Sequence, residues 1–80
     1  MIAIEVQYFA ILREQAGRSR ESLETTAATA ADLYGELQSR HGLDISRDSL
    51  RVAINEEFSE WSHPLSPGDR VVFIPPMAGG

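Results

Sequence analysis

Apolar and polar residues alternate from the start of the chain, with Ile2, Ile4, Val6 and Tyr8 interleaved with Ala3, Glu5 and Gln7. A period of two is that of a strand with its even positions on a core. Phe9 continues the alternation and puts a large apolar group on the opposite face at the strand's end. Residues 10–16, closed by Gly17, suit one or two helical turns with a glycine stop. Arg18 to Thr25 reads as a return strand with Glu21, Leu23 and Thr25 on one side. The period then changes. Ala30, Leu33, Tyr34 and Leu37 follow the i, i+3, i+4, i+7 stripe of a one-sided helix. Thr29 and Asp32 form its capping signal, Arg40 and His41 fill its last turn, and Gly42 is its expected C′ residue. Gly35 inside the helix is expected to let it lie close to a sheet.

Residues 43–49 form a polar connection. Leu50, Val52 and Ile54 mark the inward side of a third strand. Asn55-Glu56 suits a tight hairpin turn, because Asn tolerates positive φ. Glu57 to Trp61 is the short partner strand. Ser66-Pro67-Gly68-Asp69 is a turn signal, and Arg70 to Ile74 is a final apolar strand. Strands with a single main helix to cover one sheet face make a two-layer α+β domain. If Val71 and Phe73 face the core, Val72 and Ile74 face out beside Phe9. That outward apolar pair is expected to be a protein interface.

The end of the chain breaks every period. Pro75-Pro76 removes two backbone donors directly after the last strand. Met77, Ala78, Gly79 and Gly80 follow. The expected division is a body, residues 1–74, and a flexible Gly-Gly tail, residues 75–80. Fully extended, the tail spans roughly 20 Å, enough to enter a deep cleft on another protein. A frayed terminus is the plain alternative.

Composition narrows the chemistry. The 80 residues suit one small domain with a modest core. There is no cysteine, which excludes disulfides, thiolate metal sites and cysteine nucleophiles. A net charge of −5 argues against nucleic-acid binding. All seven basic residues are arginines, so no side-chain amine is available for acylation. Met1 leads straight into the first strand with no signal peptide, and no apolar run approaches the ~20 residues of a membrane span. A cytoplasmic protein that touches no membrane is the expectation.

Enzyme machinery is missing. His41 and His63 lack metal-ligand spacing, so no metal site is expected. His41 reads as a helix-end residue, Glu56-Glu57 as a solvated hairpin tip and Trp61 as a packing residue. There is no phosphate loop, dinucleotide fingerprint or nucleophile elbow. Catalysis by this domain alone is not expected.

Three stretches resemble the small, sulfur-carrying subunit of molybdopterin synthase. They are Phe9-Ala10 with Arg13-Glu14 and Gly17, then Ala53 with Asn55, and then the C-terminal run. That run holds His63-Pro64-Leu65, Gly68-Asp69, Val71, Phe73, Pro75-Pro76 and Gly79-Gly80. Met77 departs from the smaller aliphatic residue usual there. The resemblance implies a ubiquitin-like β-grasp fold, a mixed sheet of about five strands with one main helix on one face. It implies that an activating enzyme uses ATP and Mg²⁺ to adenylate the Gly80 carboxylate, which then becomes a thiocarboxylate. No cofactor is bound by the domain itself. The sulfur passes to a cyclic pterin precursor in molybdenum-cofactor synthesis, inside a heterotetramer of two small and two large subunits. Phe9, Arg13, Val72, Ile74 and Met77 are the implied contact residues for the large subunit, and Pro75 to Gly79 the tail it admits. A chain without cysteine can hold sulfur only at such an end. Rival functions are a thiamine-type sulfur carrier, a ubiquitin-like modifier joined to lysines, and a small interaction domain with an inert tail.

Overall fold

The computed structural model describes residues 1–76. The elements run β1 (Ile2–Tyr8), α1 (Ala10–Ala16), β2 (Arg20–Thr25), α2 (Ala30–His41), β3 (Arg51–Ile54), β4 (Glu57–Ser59) and β5 (Arg70–Ile74). A single 3₁₀ turn, Arg47–Ser49, precedes β3. The five strands form one sheet in the order β2-β1-β5-β3-β4. β1 and β5 are parallel at its centre, and the other pairings are antiparallel. With α2 packed on one face, this is the β-grasp arrangement.

The periodicities explain the core. Ile4, Val6 and Tyr8 of β1, Val52 and Ile54 of β3, and Val71 and Phe73 of β5 are buried on one side of the sheet. Ala30, Leu33, Tyr34 and Leu37 of α2 close over them. Phe73 is fully buried, and its ring lies 5.1 Å from that of Tyr34. Burying each such side chain stabilises the fold by about 1.5–3 kcal/mol before chain entropy is subtracted.

The ends of α2 are satisfied as its sequence signals require. Thr29 Oγ1 accepts the Asp32 N–H at 3.2 Å. The Ala30 and Ala31 N–H groups donate to the carbonyls of His63 and Trp61 at 3.2 and 2.9 Å. Gly42, at φ 70°, ends the helix by donating to the Gln38 carbonyl.

Several expectations need correction. β2 begins at Arg20, not Arg18, although the Tyr8 N–H still donates to the Ser19 carbonyl one step beyond the last pair, Gln7 and Arg20. β4 ends at Ser59. Trp61 leaves the ladder and stacks at 5.9 Å on Phe73, with an interplanar angle of 9°. Residues 43–49 are more than a connection, since Leu43 is buried and the Tyr34 hydroxyl donates to the Ile45 carbonyl at 2.6 Å. Gly35 is exposed, and a Cβ built there meets nothing within 4 Å, so close approach to the sheet is not its role. Pro75 is buried and Pro76 exposed. Met77, Ala78, Gly79 and Gly80, with the roles expected of them, lie outside the described residues.

Candidate functional site

β5 is the strand from which the tail departs, and its register with β1 and β3 fixes what surrounds that point. Because α2 takes one sheet face, side chains on the other have no layer of the described residues above them. Two cross-strand rows of this open face lie nearest the tail. In the first, Arg20, Gln7, Val72, Ala53 and Phe58 stand on successive strands from β2 to β4. In the second, Ile74 stands opposite Arg51. Phe9 follows Tyr8, the partner of Phe73, and so reaches the level of Ile74. It is in extended conformation, directly before Ala10, whose φ is +52°. That left-handed residue is strained for alanine and bends the chain sharply out of β1 into α1.

The face is apolar and wet. Phe9 is 41% and Phe58 68% exposed, and Val72 and Ile74 are half-buried. Ala53 is covered by its neighbours. The Arg51 guanidinium lies 5.6 Å from the centre of the Phe58 ring, a cation–π stack. Of the expected contact residues, Phe9, Val72 and Ile74 therefore share one surface. Arg13 is exposed on α1, apart from the sheet rows. The residues not foreseen are Phe58, Arg20 and Arg51. Phe58 was within reach of the sequence, since a two-residue turn at Asn55-Glu56 places it opposite Ala53, which alternates outward between Val52 and Ile54.

A polar clasp anchors the other end of β5. Asn55 Nδ2 donates to Asp69 Oδ1 at 2.9 Å, and Asn55 Oδ1 accepts the Arg70 N–H at 3.0 Å. Asp69 Oδ2 accepts the Ser66 N–H at 2.8 Å. One amide thus ties the β3–β4 hairpin to the start of β5. This gives a physical reason for the Asn55 and Gly68-Asp69 signatures. Gly68 itself sits at φ 84° in the turn and donates to the Ala3 carbonyl.

A second cluster joins three elements on the helix side. The Tyr8 hydroxyl donates to Glu21 Oε2 at 2.5 Å, and His41 Nε2 lies 2.7 Å from the same oxygen. Arg18 approaches Glu21 Oε1 at 3.4 Å. Burial pushes the Tyr8 phenol well above its ordinary pKa, and the Glu21 carboxylate adds to the rise. Burial also pushes Glu21 up. The hydrogen bonds from Tyr8 and His41 and the charges of His41 and Arg18 outweigh it and hold Glu21 below the usual carboxylate value.

Among the described residues no group of three His, Asp or Glu side chains could hold a metal ion. None of their helices is long and apolar enough to cross a membrane. A depression of about 490 Å³ lies over Gly35 on the helix layer, away from the open face.

The ThiS family profile matches residues 6–80. The chain belongs to the ThiS family. A curated relative, the molybdopterin synthase sulfur carrier subunit of Drosophila melanogaster, is 34% identical over 84 residues, covering 100% of this chain and 93% of its own length. The fold is shared with solved ubiquitin-like proteins. SAMP1 of Haloferax volcanii, a small archaeal modifier protein, superposes with a TM-score of 0.81 at 26% identity, over 98% of this chain and 99% of its own. A chain of the Helicobacter pylori complex of molybdopterin-converting factor subunits 1 and 2 superposes with a TM-score of 0.69 at 24% identity, over 99% and 100%. The motif resemblance to the small subunit of molybdopterin synthase is thus borne out over the full length.

Proposed function

We propose that this ThiS-family chain is the sulfur carrier subunit of molybdopterin synthase, with Gly80 as the carrying residue. The observation that carries the reading is the reach of the family match, which runs to residue 80 and so takes in Gly79-Gly80. A carboxylate is a poor electrophile. Its oxygen attacks the α-phosphorus of ATP, with Mg²⁺, on an activating enzyme, and pyrophosphate leaves. The terminal sulfur of a persulfide attacks the acyl carbon and AMP leaves. A thiol then reduces the resulting S–S bond, and a thiocarboxylate remains. The large subunit receives the tail and passes the sulfur to the cyclic pterin precursor. The domain contributes no catalytic group of its own and works in the cytoplasm. Its part is to present a thin tip. Glycine lets the backbone come close to the reacting atoms, and Pro75-Pro76 stiffens the root. The open face holding Phe9, Phe58, Val72 and Ile74 docks on the large subunit, with Met77 beyond it. The Helicobacter pylori pair of subunits supports that partner.

The test compares wild type, Gly80→Ala and a chain carrying one extra C-terminal residue, each given activating enzyme, ATP and a sulfur donor. Product is read as the mass change of one oxygen replaced by sulfur. Wild type converts. Gly80→Ala converts at least about a hundredfold more slowly, because a misplacement of about 1 Å costs that much. The extended chain does not convert. Pterin sulfuration by an untrimmed extended chain would refute the reading. The likeness to SAMP1 favours a second reading, a protein modifier. Gly80 recovered in isopeptide linkage to lysines of other proteins would select it.

A further inference from the structure

Charge on the open face runs against the charge of the whole chain. The chain carries twelve carboxylate side chains against seven arginines. Yet no paired residue of the two rows nearest the tail is a carboxylate; Glu60, one residue past β4, continues the register to the level of Arg51 but makes no ion pair with it. The charged paired members of these rows are Arg20 at the β2 flank and Arg51 at the β3 flank, both exposed. Among the described residues, the ion pairs are Arg18–Glu21, Arg40–Glu36, His41–Glu21 and Arg70–Glu56, so neither Arg20 nor Arg51 is neutralised. The strand-paired acids of this face sit in the rows farther from the tail, Glu5 opposite Arg70 and Glu24 opposite Ala3. Between the two arginines lie the apolar groups Val72, Ile74 and Phe9. β2 and β3 are three strand steps apart and the two arginines are one row apart, which sets the two backbone positions roughly 16 Å from each other.

We propose that the surface docking on this face is acidic where it meets the two flanks, with carboxylates placed to pair with Arg20 and Arg51 across an apolar centre. This rests on the docking reading above, in which the occupant is the large subunit, and it specifies that subunit's surface. Two physical arguments support it. Arginines covered without partners cost several kcal/mol, so a partner lacking acids opposite them is rejected. A chain with net charge −5 is repelled as a whole by an acidic surface, so only the orientation presenting these two cations is attracted. The pair therefore aligns the tail with its cleft during encounter. Such steering acts mainly on the association rate and is screened by salt.

The experiment measures association and dissociation of the full chain with the large subunit at rising sodium chloride concentrations. The chains are wild type, Arg20→Gln/Arg51→Gln, Arg20→Lys/Arg51→Lys and Ile74→Asp. Circular dichroism checks that each is folded. Wild-type association is expected to slow as salt rises. The glutamine pair should associate about tenfold more slowly at low salt, with a flattened salt dependence and little change in dissociation. The lysine pair should keep the wild-type salt slope, because charge rather than stacking on Phe58 is responsible. Ile74→Asp should speed dissociation. Association that quickens with salt, an unmoved glutamine pair, or a lysine pair that fails as the glutamine pair does would each overturn the proposal. If Ile74→Asp changes dissociation while the arginine variants change nothing, the face docks but not by this charge pattern. If Ile74→Asp changes nothing, or wild type does not bind, the docking reading falls and the proposal with it.

Discussion

Glu21 shows how much one side chain can hold in a core this small. Its Oε2 meets both Tyr8 of β1 and His41 of α2, while Arg18 meets its other oxygen. A carboxylate with a folded pKa below its unfolded one stabilises the fold fully above the unfolded value, about 4.3. That stability is lost as pH falls through the folded value. Glu21→Gln removes the charge and keeps the size. It should lower stability by about 1–3 kcal/mol at neutral pH, the loss for a buried charged hydrogen-bond partner. The gap in melting temperature between wild type and variant should be full near about pH 7 and narrow towards about pH 3. An equal gap at both ends would mean that ionisation of Glu21 contributes nothing. The sequence did not expose this cluster. Tyr8 and Glu21 are 13 positions apart and Glu21 and His41 are 20, and only the folded sheet and helix bring them together. The alternation gave Tyr8 its side, and the helix stripe gave His41 its place in the last turn, but not their shared partner.

Among the elements, α2 was the most legible. Its stripe, cap and glycine stop are local signals, and each is used as expected. β1 and β5 were legible for the same reason, with alternating faces that match their burial. β4 is shorter than its sequence suggests, because Trp61 suits a strand yet its ring is worth more against Phe73 and Tyr34 in the core. Gly35 differs from its expectation, since a glycine inside a helix suggests a close neighbour and here a Cβ meets none among the described residues. That absence makes a prediction. Glycine costs a helix interior about 1 kcal/mol relative to alanine. With open space at its Cβ, Gly35→Ala should recover that amount, a rise of roughly 4–8 °C in melting temperature for a domain of this size. Unchanged or lowered stability would show that the helix backbone is constrained by something other than propensity. Binding to the large subunit should not change, because position 35 lies on the helix layer and not on the open face.

For the whole molecule, the question is how separable the body is from its tip. The topology is economical for a carrier. β5 is central, held by β1 on one side and β3 on the other, so the strand that launches the tail is the best-anchored strand in the sheet. Its far end, away from the tail, is fixed again by the Asn55–Asp69 clasp. The motif residues Asn55, Gly68 and Asp69 were legible as signatures, but their common task appears only with the pairing of β3 to β5. The core cluster of the described chain draws on β1, both helices, β3 and β5 and ends at Phe73, with Pro75 buried just after it. A truncation after Pro76 keeps all of these residues. A chain ending at Pro76 should unfold cooperatively within about 4 °C of the full chain, a difference under about 1 kcal/mol. It should also still engage the large subunit through Phe9, Phe58, Val72 and Ile74, with no sulfur transferred. Chemical denaturation should give the same slope for both chains, since that slope tracks the surface exposed on unfolding. A large fall in melting temperature, or a lower slope, would mean that residues 77–80 pack on their own domain. The tip would then have to be released before it could enter another protein, and a carrier that presents its end freely would no longer describe the molecule.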